Sequence, residues 1–434
     1  MSLKKYFLLL LGILMTFQVG AQKRLNRTEK QILNKVATYE TEAINFLEKV
    51  VNINSGTFNL KGVRAVGEEF SNAFESIGFE TEWIEMPTEM NRAGHLFASI
   101  AGSEGKKLLL IGHLDTVFEE NSPFQKFVKQ DSIAFGPGAN DMKGGNVIVL
   151  YALKSLYELG LLENKHIIVA FTGDEESTGK PLSISRKALI DAGKNSDIAL
   201  GFENSTGFNQ ATIARRGTSS WRIESKGVRA HSSGVFREDV GAGAIFELSR
   251  ILHKFYEEVK GEDLLTFNPG TILGGTFLEF DKQKSEGTVF GKSNVVAQKA
   301  IVNGGLRFIT EEQKIRTRNK MRRIVSQSLP LTDSNISFVD SYPSMKPTEG
   351  NAAILEKLSE VSQAMGQGPV YAYDPSKRGA ADISFVAPYT NGVDGLGAMG
   401  EDAHTPQETV DLTTINALIQ RTAVLIYRLT NEKK

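Results

Sequence analysis

Leu108-Leu-Leu-Ile-Gly-His113-Leu-Asp115-Thr116 is the stretch that decides the fold. Four apolar residues without alternation, followed by Gly, read as a strand buried on both faces. The His-x-Asp pair then falls at its carboxyl end. Ile167–Phe171 and Ile198–Phe202 have the same apolar character. They run into Asp174-Glu175-Glu176 and into Glu203. Between the first two strands, Gly145–Leu159 carries Val147, Leu150, Tyr151 and Leu156 at the spacing of a crossover helix. Apolar runs alternating with helical stretches predict an α/β sheet sandwiched by helices. Sites in such sheets form outside the carboxyl ends of the strands. A further cluster, Gly136-Pro-Gly-Ala-Asn-Asp141-Met-Lys-Gly-Gly145, lies just ahead of the helix and can converge there too. Taken singly, an acidic trio can neutralise a helix dipole and an Asp after a turn can cap a helix. Four clusters together, with Gly400-Glu-Asp-Ala-His404-Thr-Pro406 as a fifth, are hard to explain as surface charge.

Working outward, residues 1–21 read as a cleaved export signal. Lys4 and Lys5 precede the apolar run Phe7–Met15, and Val19-Gly20-Ala21 supplies small residues for cleavage after Ala21. The run is too short to span a bilayer comfortably, so no membrane association is expected after cleavage. The expected location is the periplasm or the exterior. Roughly 410 residues remain, which suits two domains. A net charge of −1 gives no electrostatic reason to expect nucleic acid as a partner. With no cysteine in the chain, disulfides are excluded and any metal site must use imidazole and carboxylate; the six histidines can be weighed one by one.

Residues from Gln22 to about Lys49 show helical spacing. The character changes near Thr212. Ser219–Ser225 alternates as a half-exposed strand, followed by a helix over Ala242–Val259 and strand-like pieces at Leu264–Phe280 and Gln298–Ile309. A charged helix (Glu311–Ser328) and a strand (Ile336–Val339) complete a β-α-β-β-α-β order. This predicts a small α+β domain over 212–342, inserted between the two parts of the larger domain, 22–211 and 343–434.

The motifs His-x-Asp, Gly-x-x-Asp-Met-Lys-Gly-Gly, Asp-Glu-Glu, a later acid and a late His-Thr together resemble the carboxypeptidase G and aminoacylase family of di-zinc hydrolases. The resemblance runs over nearly the whole mature chain. It implies a catalytic domain with a mixed central sheet flanked by helices, and an inserted lid that also dimerises. It further implies two zinc ions per subunit, with cobalt or manganese as alternatives. His113 and Glu203 would serve one ion, Glu176 and His404 the other, and Asp141 would bridge both. Even a single zinc lowers the pKa of water to roughly 7. Glu175 would be the general base and Asp115 would orient the His113 imidazole.

In the insert, Lys226-Gly-Val-Arg-Ala-His231-Ser-Ser-Gly234 resembles the family's lid histidine, which reaches the partner subunit's site to stabilise the oxyanion. Ser293-Asn294-Val295-Val296 and Gly305-Leu306-Arg307 resemble the substrate clamp, where an Arg pairs with a carboxylate through two bonds. Arg378-Gly-Ala-Ala-Asp382 occupies the place of a Gly-rich turn lining the pocket, with Arg378 where relatives often carry Gly. Arg215 and Arg216 either assist there or face solvent. His95, His166 and His253 match no motif and read as structural. Glutamate-releasing relatives carry a basic residue before Pro where this chain has Tyr342-Pro343, so the side-chain preference is open, with Arg378 a candidate replacement for the lost charge. The implied substrate is a small peptide or N-acyl amino acid, with glutamate the first expectation. Aminoacylase, dipeptidase and succinyl-amide hydrolase chemistry are the nearest alternatives. An exported solute-binding protein is the alternative of another class.

Overall fold

The structure, a computed structural model, describes residues 24–281 and 284–432. The expected export signal lies outside them. A six-stranded sheet forms the larger layer, in the order Glu80–Ile84, His95–Ile100, Lys165–Thr172, Glu104–His113, Ile198–Gly201 and Asn391–Val393. Glu104–His113 runs parallel to both of its neighbours, and Asn391–Val393 is also parallel to Ile198–Gly201. The first two strands are antiparallel, so the sheet is mixed.

The uniform apolar run follows from this layering. Leu108 and Leu110 face a core shared with Val147, Phe70, Phe171 and the long C-terminal helix Leu412–Thr430. Leu109 and Ile111 face the opposite side, against Leu189, Ile383, Phe385 and Val386. Both faces of the strand are therefore dry, which removes the alternation of a half-exposed strand. The crossover helix, Lys143–Glu158, lies on the first face. A Cβ on Gly145 would sit 2.1 Å from the Phe202 carbonyl oxygen. Glycine there lets the helix press against the strand end that delivers Glu203. The N-terminal helical stretch is two helices, Arg27–Ala37 and Glu40–Val51, broken at Thr38–Tyr39.

The second sheet is wholly antiparallel, in the order Thr266–Gly275, Lys299–Phe308, Gly217–Lys226 and Asp333–Asp340. Helices Ala244–Glu258 and Glu311–Val325 cover one face, around Trp221, Ile251, Phe255, Val302, Phe308 and Met321. One element departs from the expected order: a hairpin, Phe277–Asp281 with Glu286–Phe290, stands between the second and third strands. It folds onto the outer face of the sheet, where Phe280 lies under the Arg222 guanidinium, 5.0 Å from ring to cation. The chain enters and leaves this sheet side by side. Thr218 donates to Tyr342 O (2.8 Å), and Arg215 and Met345 exchange bonds of 2.8 and 3.0 Å.

Beneath the carboxyl ends of the large sheet, Arg186 is fully buried between Asp174 and Asp382, bonding the latter at 2.8 Å through Nε. It joins the loop after Lys165–Thr172 to the short helix Ile383–Val386. Removing one partner of a buried pair strands the remaining charge. Arg186→Met is therefore expected to cost about 3–5 kcal/mol of unfolding free energy in a urea titration. Arg222→Met, which breaks the half-exposed pair with Glu224, should cost less than about 1 kcal/mol. Equal shifts for the two variants would refute the assignment.

Candidate active site and metal cluster

Four loops meet at the carboxyl edge of the large sheet. His113 closes one strand, Glu175 and Glu176 follow the next, Glu203 follows the third, and Asp141 precedes the crossover helix. His404 arrives from the loop before Thr409–Asp411, with a left-handed backbone (φ 67°). His113 Nε2 lies 3.3 Å from Asp141 Oδ1 and 3.8 Å from Glu203 Oε1. His404 Nε2 lies 3.1 Å from Asp141 Oδ2 and 3.2 Å from Glu176 Oε1. Asp141 thus presents one oxygen to each imidazole. Ligand atoms of His113, Asp141 and Glu176 all fall within 4.8 Å of one another, as do those of His113, Glu175 and Glu203. The five expected ligands and the expected base form one continuous cluster.

The donor set fits a divalent metal. Glu176 Oε1 is buried with no hydrogen-bond partner although an imidazole nitrogen stands 3.2 Å away. Both are metal-ligating atoms, and among the described residues this ion pair is the one polar contact of that oxygen. Imidazole and carboxylate without thiolate suit zinc, and also manganese or cobalt.

From the polypeptide's own charges, burial pushes Glu203 up to about 8. Burial, reinforced by the charge of Glu203, raises Glu175 well above the ordinary carboxylate range. Pairing with Asp141 and Glu176 pushes His404 up to about 11. Burial also opposes the charge on Asp141, but the two imidazoles outweigh it and lower its pKa. Crowded carboxylates that hold protons in this way are a site waiting for positive charge.

The groups behind the cluster are as specific as the cluster itself. Asp115 is fully buried and meets the His113 imidazole through both its main chain and its side chain. His113 Nδ1 lies 2.9 Å from the Asp115 main-chain oxygen and 3.5 Å from its carboxylate. The carboxylate also accepts the backbone N–H groups of Glu175 (2.9 Å) and Glu176 (3.1 Å) and the Thr57 hydroxyl (2.6 Å). One residue fixes a ligand through its backbone and the Glu175–Glu176 loop through its side chain. Tyr342 donates its hydroxyl to Glu175 O at 2.6 Å.

Glu408, which the sequence reading did not single out, accepts from the backbone N–H groups of Gly138, Asn140 and Asp141 at 2.9–3.3 Å. It thereby shapes the turn that carries Asp141. Its position four residues after His404, in an otherwise polar loop, was the available signal. His95 is structural as expected: buried, with Nε2 2.7 Å from Ser185 O and Nδ1 accepting from Gly173 N.

The remaining expected residues lie on the segment around the second sheet or at its edge. His231 and Asn294 are exposed neighbours, joined by Ser232 N to Asn294 O at 2.9 Å. His231 Nδ1 meets Ser233 Oγ at 2.8 Å. Among the described residues neither makes a hydrogen bond or ion pair to the cluster. Arg307 is exposed on Lys299–Phe308. Arg378 bonds Asn204, directly after Glu203. Arg215 is buried, 2.7 Å from Asp394, and does not face solvent.

Residues 109–428 match the profile of peptidase family M20/M25/M40, and the chain belongs to that family. It is a hydrolase of amide bonds and a metallopeptidase by family, and the solute-binding alternative is set aside. Carboxypeptidase G2 of a Pseudomonas species is 27% identical over 420 residues, covering 94% of this chain and 92% of its own. Succinyl-diaminopimelate desuccinylase of Hydrogenovibrio crunogenus is 24% identical over 399 residues, covering 88% and 97%. Among solved structures, an M20 family metallo-carboxypeptidase of Sulfolobus solfataricus superposes with TM-score 0.66 at 16% identity, over 90% of this chain and 99% of its own. A dinuclear metal-binding M20 peptidase of Bacillus subtilis does so with TM-score 0.64 at 15% identity, over 91% and 99%.

Glu175 and Glu176 are adjacent, and both offer oxygens to the cluster. Glu175→Gln is expected to abolish most turnover with metal content nearly unchanged, since a base moves protons and does not coordinate. Glu176→Gln should lose both. Turnover and elemental analysis on the same preparations decide this, and metal loss in Glu175→Gln would make it a ligand.

Proposed function

We propose that this chain is an exported, homodimeric di-zinc enzyme that cleaves a peptide or N-acyl amide bond next to a free carboxylate. Release of a C-terminal amino acid, with glutamate first, is the favoured activity. The observation that supports it most is the single cluster in which Asp141 faces both imidazoles while Glu175, in ion-pair contact with neither, lies within 4.8 Å of His113 and Glu203.

In this reading His113, Glu203 and Asp141 would hold one ion, and Glu176, His404 and Asp141 the other. Two divalent ions there would polarise the scissile carbonyl and acidify water. Glu175 takes a proton from the attacking water as its oxygen bonds to the carbonyl carbon. It returns that proton to the amide nitrogen as the C–N bond breaks, which leaves an acid and a free amine. Burial suits Glu175 to the task, because a carboxyl that binds protons tightly can hold one between the two steps. The bond from its N–H to Asp115 and the bond from Tyr342 to its carbonyl keep it aimed. Arg307 grips the substrate carboxylate through a planar fork.

His231 and Asn294 lie side by side, exposed and unconnected to the cluster, as residues serving a second subunit's site would. Export rests on the basic, apolar and small-residue pattern of residues 1–21. Aminoacylase, dipeptidase and desuccinylase activities share this chemistry and differ only in the acyl group.

The zinc-loaded protein should hydrolyse N-acyl amino acids and dipeptides with a free carboxylate. It should lose on the order of tenfold to a hundredfold in kcat/KM when that carboxylate is amidated. Equal rates on amidated substrates, or no hydrolysis across the panel, would overturn the reading. The shared site has its own check. His231→Ala should lose on the order of a hundredfold in turnover or more, and so should Glu175→Gln, each keeping its metal. Mixing the two under subunit exchange should restore roughly a quarter of wild-type activity, because half the dimers are then hybrids with one intact site of two. No recovery, with exchange shown by mixed-tag capture, places His231 in its own subunit's site or outside catalysis.

A further inference from the structure

Asn146 is a fully buried amide in the first turn of the crossover helix, and every residue after it as far as Leu153 is apolar and buried. Its Nδ2 donates to the main-chain oxygen of His113 at 2.6 Å, while its Oδ1 is buried with no hydrogen-bond partner. That oxygen lies against the strand end, where a Cβ on Gly112 would come within 2.1 Å of it. A buried amide with half of its bonding unmet is costly, and an apolar side chain would fill the same space without that cost. The bond to His113 is what distinguishes this position from its neighbours on the helix.

The bond falls on a residue already held from its other end. His113 Nδ1 lies 2.9 Å from the main-chain oxygen of Asp115, so the imidazole is fixed at the ring and the residue is fixed at its carbonyl. The glycine before Asn146 bears on a second ligand of the same group, because Gly145 packs against the carbonyl of Phe202, which leads into Glu203. One helical turn thus braces both His113 and Glu203. His404 receives no such support. Its side chain is 54% exposed against 1% for His113, and its backbone is left-handed. Its loop is bonded within itself, from Thr405 N to Asp402 O at 3.1 Å and from Thr409 N to Glu401 O at 3.0 Å.

We propose that Asn146 is a positioning residue for one ion of the pair. It fixes His113 through the carbonyl, and so strengthens the hold on the ion that His113 and Glu203 would share. The ion that Glu176 and His404 would share is outside its reach. Groups that orient a ligand raise metal affinity because less order is lost when the ion arrives. This rests on the metal assignment above and on nothing about the substrate.

Zinc affinity is measured on metal-stripped protein by competition with a chromophoric chelator, in two backgrounds. His404→Ala leaves the ion of His113, and Glu203→Gln leaves the ion of His404. Asn146→Leu, similar in volume and without a donor, should weaken zinc by about tenfold to a hundredfold in the His404→Ala background, the usual cost of losing a group that orients a ligand. In the Glu203→Gln background it should change nothing. Ser155→Ala is the control, equally buried on the same helix with its hydroxyl on Tyr151 O, and should leave zinc affinity as it is in both. Urea titration of the metal-free proteins shows which variants fold. Should Asn146→Leu fail there, Asn146→Ser, whose donor is too short to reach the carbonyl squarely, takes its place with the same expectation. Equal weakening in both backgrounds overturns the proposal, since a loosened fold acts on both ions. Unchanged affinity in the His404→Ala background overturns it too, because Asp115 then holds His113 unaided. The paired-ion reading is tested separately by the wild type: uptake of a single zinc would break that reading, while the His404→Ala comparison still decides the role of Asn146.

Discussion

Crowded negative charge is the constraint around which the rest of this molecule is arranged. Asp141, Glu175, Glu176 and Glu203 share a small volume with two imidazoles, and Asp115 and Glu408 stand directly behind them. Burial first, and then the neighbouring carboxylate charge, raises the pKa of Glu175, Glu203 and Glu408. The fold answers with oriented backbone N–H groups at Asp115 and Glu408 and with guanidiniums at Arg186 and Arg215. Divalent ions held by these residues would supply the remainder. Because metals need their ligands deprotonated, their uptake would release protons.

The supporting residues explain why the cluster can be accurate although its members come from loops. Each loop is tied at more than one point. The Asp141 turn hangs from Glu408 by three N–H groups, and the Glu175–Glu176 loop hangs from Asp115 by two. At the start of the crossover helix the buried Lys143 ammonium donates to the carbonyls of Val50 and Ile53, binding this turn to the N-terminal helices. Such second contacts set ligand orientation and so tune a metal centre as much as the ligands do.

Much of this was legible in the chain. Residues 108–111 had to be apolar without alternation because helices cover both faces of their strand, and that pattern located the sheet and its reactive edge. The candidate site residues His113, Asp141, Glu175, Glu176 and Glu203 stood out because each sits at a strand end or a helix start. The companions escaped because their partners are remote in sequence. Glu408 serves a turn about 270 residues earlier, and Asp382 meets Arg186 across almost 200. Asp115 was read as orienting His113, but its further bonds to the Glu175 and Glu176 N–H groups, some sixty residues on, are carried by no residue pattern. The hairpin at 277–290 was missed because Gly274 and Gly275, read as part of a continuous strand-like stretch, mark where one strand ends and another begins.

The paired strands that join the two sheets have a mechanical consequence. A domain hung on one linker can swivel freely. The inserted segment hangs on two, bonded to each other from Thr218–Tyr342 to Arg215–Met345. Two strands bonded side by side constrain the turning of what they carry more than one linker would. Tyr342 stands on that ribbon with its hydroxyl on the carbonyl of Glu175. Any turning of the inserted segment would therefore be felt directly at the loop that carries Glu175.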